Sequence, residues 1–295
     1  MGAAHVVGHA EVILMRSILV AFSLLAIAGC AVKNTPDAGR RYSASPCIAT
    51  DGHPCSFNIA DQNTDASTSA AHPVMRIMPC GDSNTQGPVS AGTEGAYRIG
   101  LWTRAQAARF QIDFVGDQNN GPGYNTDGGY VTGLDASLGD HNHEGLGGYT
   151  IETWQAYYQQ HQLGREYHPD VLILQLGTND ITQGGFNATT ELTNYAALVD
   201  EILSDCAGLS QLFGDCRIII TTIPPQHDTS ITNNAIAMNV GLRTIAASRP
   251  RTMIADLYSA VAPYSVTNFY DDKHLNSTGQ DVWAGIEYAA IRKWQ

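Results

Sequence analysis

A chain of 295 residues, 43% hydrophobic and 15% charged, is long enough for one globular domain of about 200 to 250 residues with a full core. Its 16 basic and 28 acidic residues give a formal net charge of -12 at pH 7, which argues against a nucleic-acid surface and against charge-driven adhesion to anionic membranes. A neutral substrate, an ester or a glycan, suits this balance better than a phosphate-rich one.

In chain order, Met15-Arg16 and the run from Ser17 to Cys30 combine a basic start, a short apolar core and a small-residue site. This reads as a secretory signal rather than a membrane span, with translation starting at Met15. Ile27-Ala28-Gly29-Cys30 also resembles the bacterial lipobox, in which the cysteine is acylated and becomes the new N-terminus. Plain cleavage nearby is the alternative and leaves a soluble protein. Both routes export the chain, and a membrane is touched only through such an anchor. Export makes cysteines readable as disulfides. Cys206 and Cys216 flank a helix-to-strand connection, Cys47 and Cys55 a small polar loop, and Cys80 is left as a buried small hydrophobe. Residues 31–72 are rich in Ser, Thr, Ala, Asp and Asn and read as a tether; the catalytic domain is expected over 73–295.

That domain starts with a short apolar strand from Val74 through Met78, broken by Pro79 and followed by the turn Gly81-Asp82-Ser83. A helix is expected over 97–110, a strand over 111–116, then a long polar, Gly-rich loop over 117–148. A helix follows at 150–161. The clearest buried strand is Val171-Leu-Ile-Leu-Gln-Leu176, ending in Gly177-Thr-Asn-Asp180. Next come a helix at 190–204, a strand at 217–223 stopped by Pro224-Pro225, a helix at 232–248, a strand at 253–255 and a closing helix at 277–294. Alternating strands and helices predict a three-layer α/β/α sandwich around a mostly parallel five-stranded sheet, flavodoxin-like.

An open α/β sheet presents its reactive groups at the carboxyl edge of its strands, so Ser83 is a candidate nucleophile. Acyl transfer by serine needs a base to take its proton and an acid to orient that base. Asp271 stands three residues before His274, close enough for its carboxylate to reach one ring nitrogen while the other meets Ser83. An amide such as Asn179, at the end of the strongest strand, can donate to a developing oxyanion. The glycines of 145–148, opening a helix, can point a backbone N–H into the same place.

Four blocks in order resemble the SGNH hydrolase superfamily, also called GDSL esterases: Gly81-Asp82-Ser83, Gly148, Gly177-x-Asn179-Asp180 and Asp271-x-x-His274, within residues 74–295. The resemblance implies Ser83 as nucleophile, His274 as base, Asp271 as its orienter, and Ser83, Gly148 and Asn179 as the oxyanion hole. Asn84 departs from the commoner Gly-Asp-Ser-Leu form, without an expected catalytic consequence. Tyr97-Arg98, the stretch His143 to Ile151, and His274-Leu-Asn-x-x-Gly279 are similar to the acetyl-xylan esterase branch, carbohydrate esterase family 3. That family has Ser where this chain has Gly147 and His where it has Leu146. This second resemblance implies removal of O-acetyl groups from polysaccharide.

The blander roles are weighed beside these. Asp272 competes with Asp271 as orienter, and Gly147 with Gly148 as donor. Asp180 is read as structural, and Asp82 as an acceptor for backbone N–H groups. His141 and His143, with Asp140 and Glu144, are read as solvated rather than metal-ligating, and no spacing resembles a zinc site, so no metal or other cofactor is expected. Tyr130, Tyr149 and Trp154 are either sugar-stacking or packing residues, with packing favoured for Trp154. A serine esterase acting on carbohydrate is therefore expected. The alternatives are a lipid-directed or broad short-chain esterase and a non-catalytic glycan-binding surface lipoprotein.

Overall fold

The computed structural model describes residues 73–87, 95–119, 123–124, 130–131 and 138–295, all within one unit spanning Thr68–Gln295. The expected signal, Cys30, the tether and the Cys47–Cys55 pair lie outside the described residues.

Strand β1, Met75–Gly81, lies inside the sheet. It pairs in parallel with β7, Val171–Gln175, which pairs with β8, Arg217–Thr221, which pairs with β9, Thr252–Ala255. On the other side of β1, two short strands share one position: β2, Ile112–Phe114, beside Met75 to Ile77, and β6, Asn142–Gly145, beside Cys80 and Gly81. Five parallel positions result, as expected, in the flavodoxin-like order with its reversal at β1. Strand β3, Gln118–Asn119, adds an antiparallel edge to β6, and β4, Gly123–Tyr124, pairs antiparallel with β5, Tyr130–Val131.

Side chains alternate across the sheet. Ile77, Val171, Ile173 and Ile219 face one core, closed by helix α2, Tyr97–Ala107, and helix α9, Ser277–Arg292. Met78, Cys80, Leu172, Leu174 and Ile220 face the other, closed by α3, Ile151–His161, α6, Ala188–Asp205, and α7, Thr229–Ser248. This is the expected three-layer sandwich. Cys206, which ends α6, is disulfide-bonded to Cys216, which precedes β8.

Two expectations are corrected. Pro79 does not break β1. Ile77 and Gly81 use their carbonyls toward the β2 and β6 side, accepting from Val115 and Leu146. Residue 79 therefore faces that side too, and its missing N–H falls in the gap between the two short strands. The stretch 117–148 is not one structureless loop. Its β6 reads Asn-His-Glu-Gly, so it carries no apolar alternation, although His143 and Glu144 are buried.

Candidate active site

Ser83 opens α1, Ser83–Gln86, a short helix leaving the carboxyl end of β1. The turn into it is tight, because a Cβ on Gly81 would strike the Thr85 side chain and the Gln175 carbonyl oxygen. Asp82 is fully buried and accepts from Asn84 N–H at 2.9 Å, the bracing role read for it.

Ser83 Oγ lies 2.8 Å from His274 Nε2, and His274 Nδ1 lies 2.8 Å from Asp271 Oδ2. The other carboxylate oxygen, Asp271 Oδ1, accepts from the N–H groups of Lys273 at 3.0 Å and His274 at 2.8 Å. Burial alone would raise this carboxyl. The hydrogen bonds from the His274 ring and the two amides outweigh it and hold Asp271 below the usual carboxylate range. Asp272 points elsewhere: its side chain is exposed and faces His227 Nδ1 at 3.4 Å. The ring therefore meets Asp271, not its neighbour.

The remaining blocks close around Ser83 through three cross-links. Leu146 N–H donates to Gly81 O at 2.8 Å, pinning the turn after β6 to the end of β1. Within that turn Gly147 is buried, whereas Gly148 is exposed and sits at φ 78°, in the left-handed region that favours glycine. Asn179 opens α5, Thr178–Thr182, after β7, and its Nδ2 donates to Tyr149 O at 2.8 Å, leaving the amide's second N–H for a ligand. Asp180 accepts from Ile151 N–H at 3.1 Å, so it caps α3 and is structural as read.

Burial raises the Asp180 carboxyl to about 7, against the pull of the Ile151 N–H. Between the ordinary aspartate range and about pH 7 the folded chain thus holds a proton that the unfolded chain has lost, and stability falls as pH rises through that window. Asn at this position keeps the acceptor without the charge. The melting temperature of Asp180→Asn should rise relative to the wild type between pH 5 and pH 8. A difference that is constant with pH contradicts this titration.

The sequence reading gave no role to two buried residues at the site. Asn84 is fully buried, and its side chain bonds Lys273 O and Leu275 N–H, on both sides of His274. Arg98 is also fully buried and donates to His141 O at 2.7 Å and Gln86 O at 3.2 Å, joining α2 to the end of α1. Burial lowers its guanidinium to about 9, so it stays charged at neutral pH. No local pattern shows these contacts, since the partners are far away in sequence or are backbone atoms.

His143 is buried rather than solvated. Its Nδ1 accepts from Gly145 N–H at 2.9 Å, and burial, with the Arg98 charge, holds the ring neutral. Glu144 is fully buried too and accepts from Asp117 N–H at 2.6 Å; burial raises it to about 9, so it is a neutral acid at pH 7. Half-buried His141 turns its ring to Leu138 O. Among the described residues no group of three or more His, Cys, Asp or Glu side chains could hold a metal ion. Trp154 is a core residue whose Nε1 donates to Glu144 O at 3.0 Å, so it does not stack on a ligand. The Tyr130 side chain lies outside the described atoms.

Open grooves lie on both sides of the site. One, of about 580 Å³, is lined by Gly147, Gly148, Tyr149, Thr153 and Tyr157. The other, of about 470 Å³, is lined by Thr182, Gln226, His227, Asp228, Asp272 and Lys273. Both mix polar groups with a larger share of apolar surface.

The model of the GDSL-like lipase/acylhydrolase family matches residues 80–282. A multidomain esterase of Ruminococcus flavefaciens is 27% identical over 232 residues; the match covers 72% of this chain and 28% of that protein. A family 3 carbohydrate esterase of Clostridium thermocellum superposes with a TM-score of 0.59 at 24% identity, over 75% of this chain and 99% of the other. A family 3 carbohydrate esterase of Talaromyces cellulolyticus gives 0.57 at 21% identity, over 75% and 97%.

Proposed function

The chain belongs to the GDSL-like lipase/acylhydrolase family, and on that premise we propose that it is an exported serine esterase that removes O-acyl groups, chiefly O-acetyl, from carbohydrate. The observation that carries the reading is the continuous chain Ser83 Oγ, His274, Asp271, with 2.8 Å at each step, at the carboxyl edge of the sheet. Ser83 Oγ attacks the ester carbonyl as its proton passes to His274 Nε2. The oxyanion is held by the N–H groups of Ser83 and Gly148 and by the Asn179 amide. Ser83 is the first residue of α1, so its N–H has no partner within that helix. The tetrahedral intermediate collapses, His274 returns the proton to the leaving alcohol, and an acyl-enzyme remains on Ser83. Water, deprotonated by His274, then releases the acid. No step calls for a metal.

Carbohydrate is favoured over lipid because both grooves offer side-chain and backbone hydrogen-bonding groups, and because a chain of net charge -12 suits a neutral glycan. Two of the similar structures are themselves called carbohydrate esterases.

The test compares acetate release from acetylated xylan with hydrolysis of the 4-nitrophenyl esters of acetate, octanoate and palmitate. Acetyl substrates should be turned over at least about tenfold faster than octanoate. Faster cleavage of octanoate or palmitate would move the substrate to lipids. Tight glycan binding with no ester cleavage would leave a surface-binding lipoprotein.

A further inference from the structure

We propose that Asn84 is a positioning residue that sets the separation between the nucleophile and its base. The inference rests on the esterase reading above and deepens it. Asn84 follows Ser83 directly in α1 and is 0% exposed. Its Nδ2 donates to Lys273 O at 3.3 Å and its Oδ1 accepts from Leu275 N–H at 3.2 Å. These are the backbone groups on either side of His274, contributed by a segment about 190 residues away in the chain. One planar amide therefore grips the base's segment at two points, and it is joined to Ser83 by a single peptide bond.

Its own backbone is fixed as well. Asn84 N–H donates to Asp82 Oδ1 at 2.9 Å, and Asn84 O accepts from Gln280 Nε2 at 3.3 Å, in the helix that follows the His274 loop. The other anchors of His274 are local to its own loop: its N–H goes to Asp271 Oδ1, and its carbonyl accepts from Tyr270 N–H. They shape the loop but do not locate it against Ser83. Asn84 does so from the Ser83 side, while His227 N–H, donating to Asp272 O at 2.9 Å, ties the loop to the segment after β8; the 2.8 Å contact from Ser83 Oγ to His274 Nε2 lies where Asn84 holds both neighbours of the base. Leu, of similar volume, would leave both backbone groups buried without that partner.

Two variants test this. Asn84→Leu removes both bonds, and Asn84→Asp, nearly the same shape, keeps the acceptor for Leu275 N–H but sets an oxygen against Lys273 O. Each is reacted with a 4-nitrophenyl alkylphosphonate, in which Ser83 Oγ loses its proton to His274, the Oγ–P bond forms and 4-nitrophenolate leaves. The nitrophenolate burst counts competent sites, and its rate constant measures nucleophile activation per site. We expect the rate per counted site, and kcat with it, to fall about 10- to 100-fold in both variants, with KM for 4-nitrophenyl acetate within about twofold. A role in stability alone would lower the count and leave the rate per site unchanged, and that result overturns the proposal. Partly folded preparations still report, because only reacting sites are counted. Failure of the wild type to label at Ser83 would instead sink the esterase reading itself.

Discussion

Replacing Ser83 with Ala should lower kcat/KM for 4-nitrophenyl acetate by about 10⁴- to 10⁶-fold, the range seen when an activated serine nucleophile is removed. The loss should leave the fold intact. The Ser83 hydroxyl has one described partner, His274 Nε2, and the ring is still held from its other nitrogen by Asp271. α1 does not depend on the hydroxyl either: its first turn is capped by the Asp82 carboxylate, and the Gly87 N–H closes it on the Ser83 carbonyl. A melting temperature within about 2 °C of the wild type should therefore accompany the loss. The residual rate over water, supplied by the oxyanion donors, is not expected to vanish. A variant retaining more than about one hundredth of wild-type activity, in a preparation that a phosphonate cannot inhibit, would exclude Ser83 as the nucleophile.

Why some elements and side chains were legible in the sequence and others were not follows from where each signal lies. Strands β7 and β8 are buried on both faces, so Val171 to Leu174 and Ile218 to Ile220 form unbroken apolar runs that need no alternation to be recognised. Strand β6 is buried from His143 to Gly145 but has no apolar side chain, and the burial of His143 and Glu144 is made tolerable by neutral forms and by bonds to Gly145 and Asp117. Nothing local announces that. The start of α7 was placed three residues late because its cap, Asp228, accepts from Ser230 and Ile231 N–H and draws the helix forward. Asp271 and His274 were legible because their contact spans three residues. Asn84 was not, since its partners at 273 and 275 lie 189 and 191 residues away, and only the folded chain brings them together.

Asp271→Asn should lower kcat by about 10⁴-fold while Asp272→Asn changes it by less than about twofold, although the two residues are adjacent. The asymmetry is built into the loop. Asp271 Oδ1 accepts from two amides, Lys273 N–H and His274 N–H, so an asparagine there must keep its carbonyl oxygen on that side. Its NH₂ is then forced toward His274 Nδ1. A donor facing Nδ1 drives the ring proton onto Nε2, and a protonated Nε2 cannot accept from Ser83 Oγ. The base is present, in place and in the wrong tautomer. The wild type does not reach a comparable state near neutrality, because the same three hydrogen bonds outweigh burial and keep the Asp271 carboxyl ionised to below the usual aspartate range. Asp272 has no part in this: its side chain is 84% exposed and faces His227. Steady-state kinetics of the two variants on 4-nitrophenyl acetate decides the matter, and equal losses in both would mean that the orienting carboxylate has been misassigned.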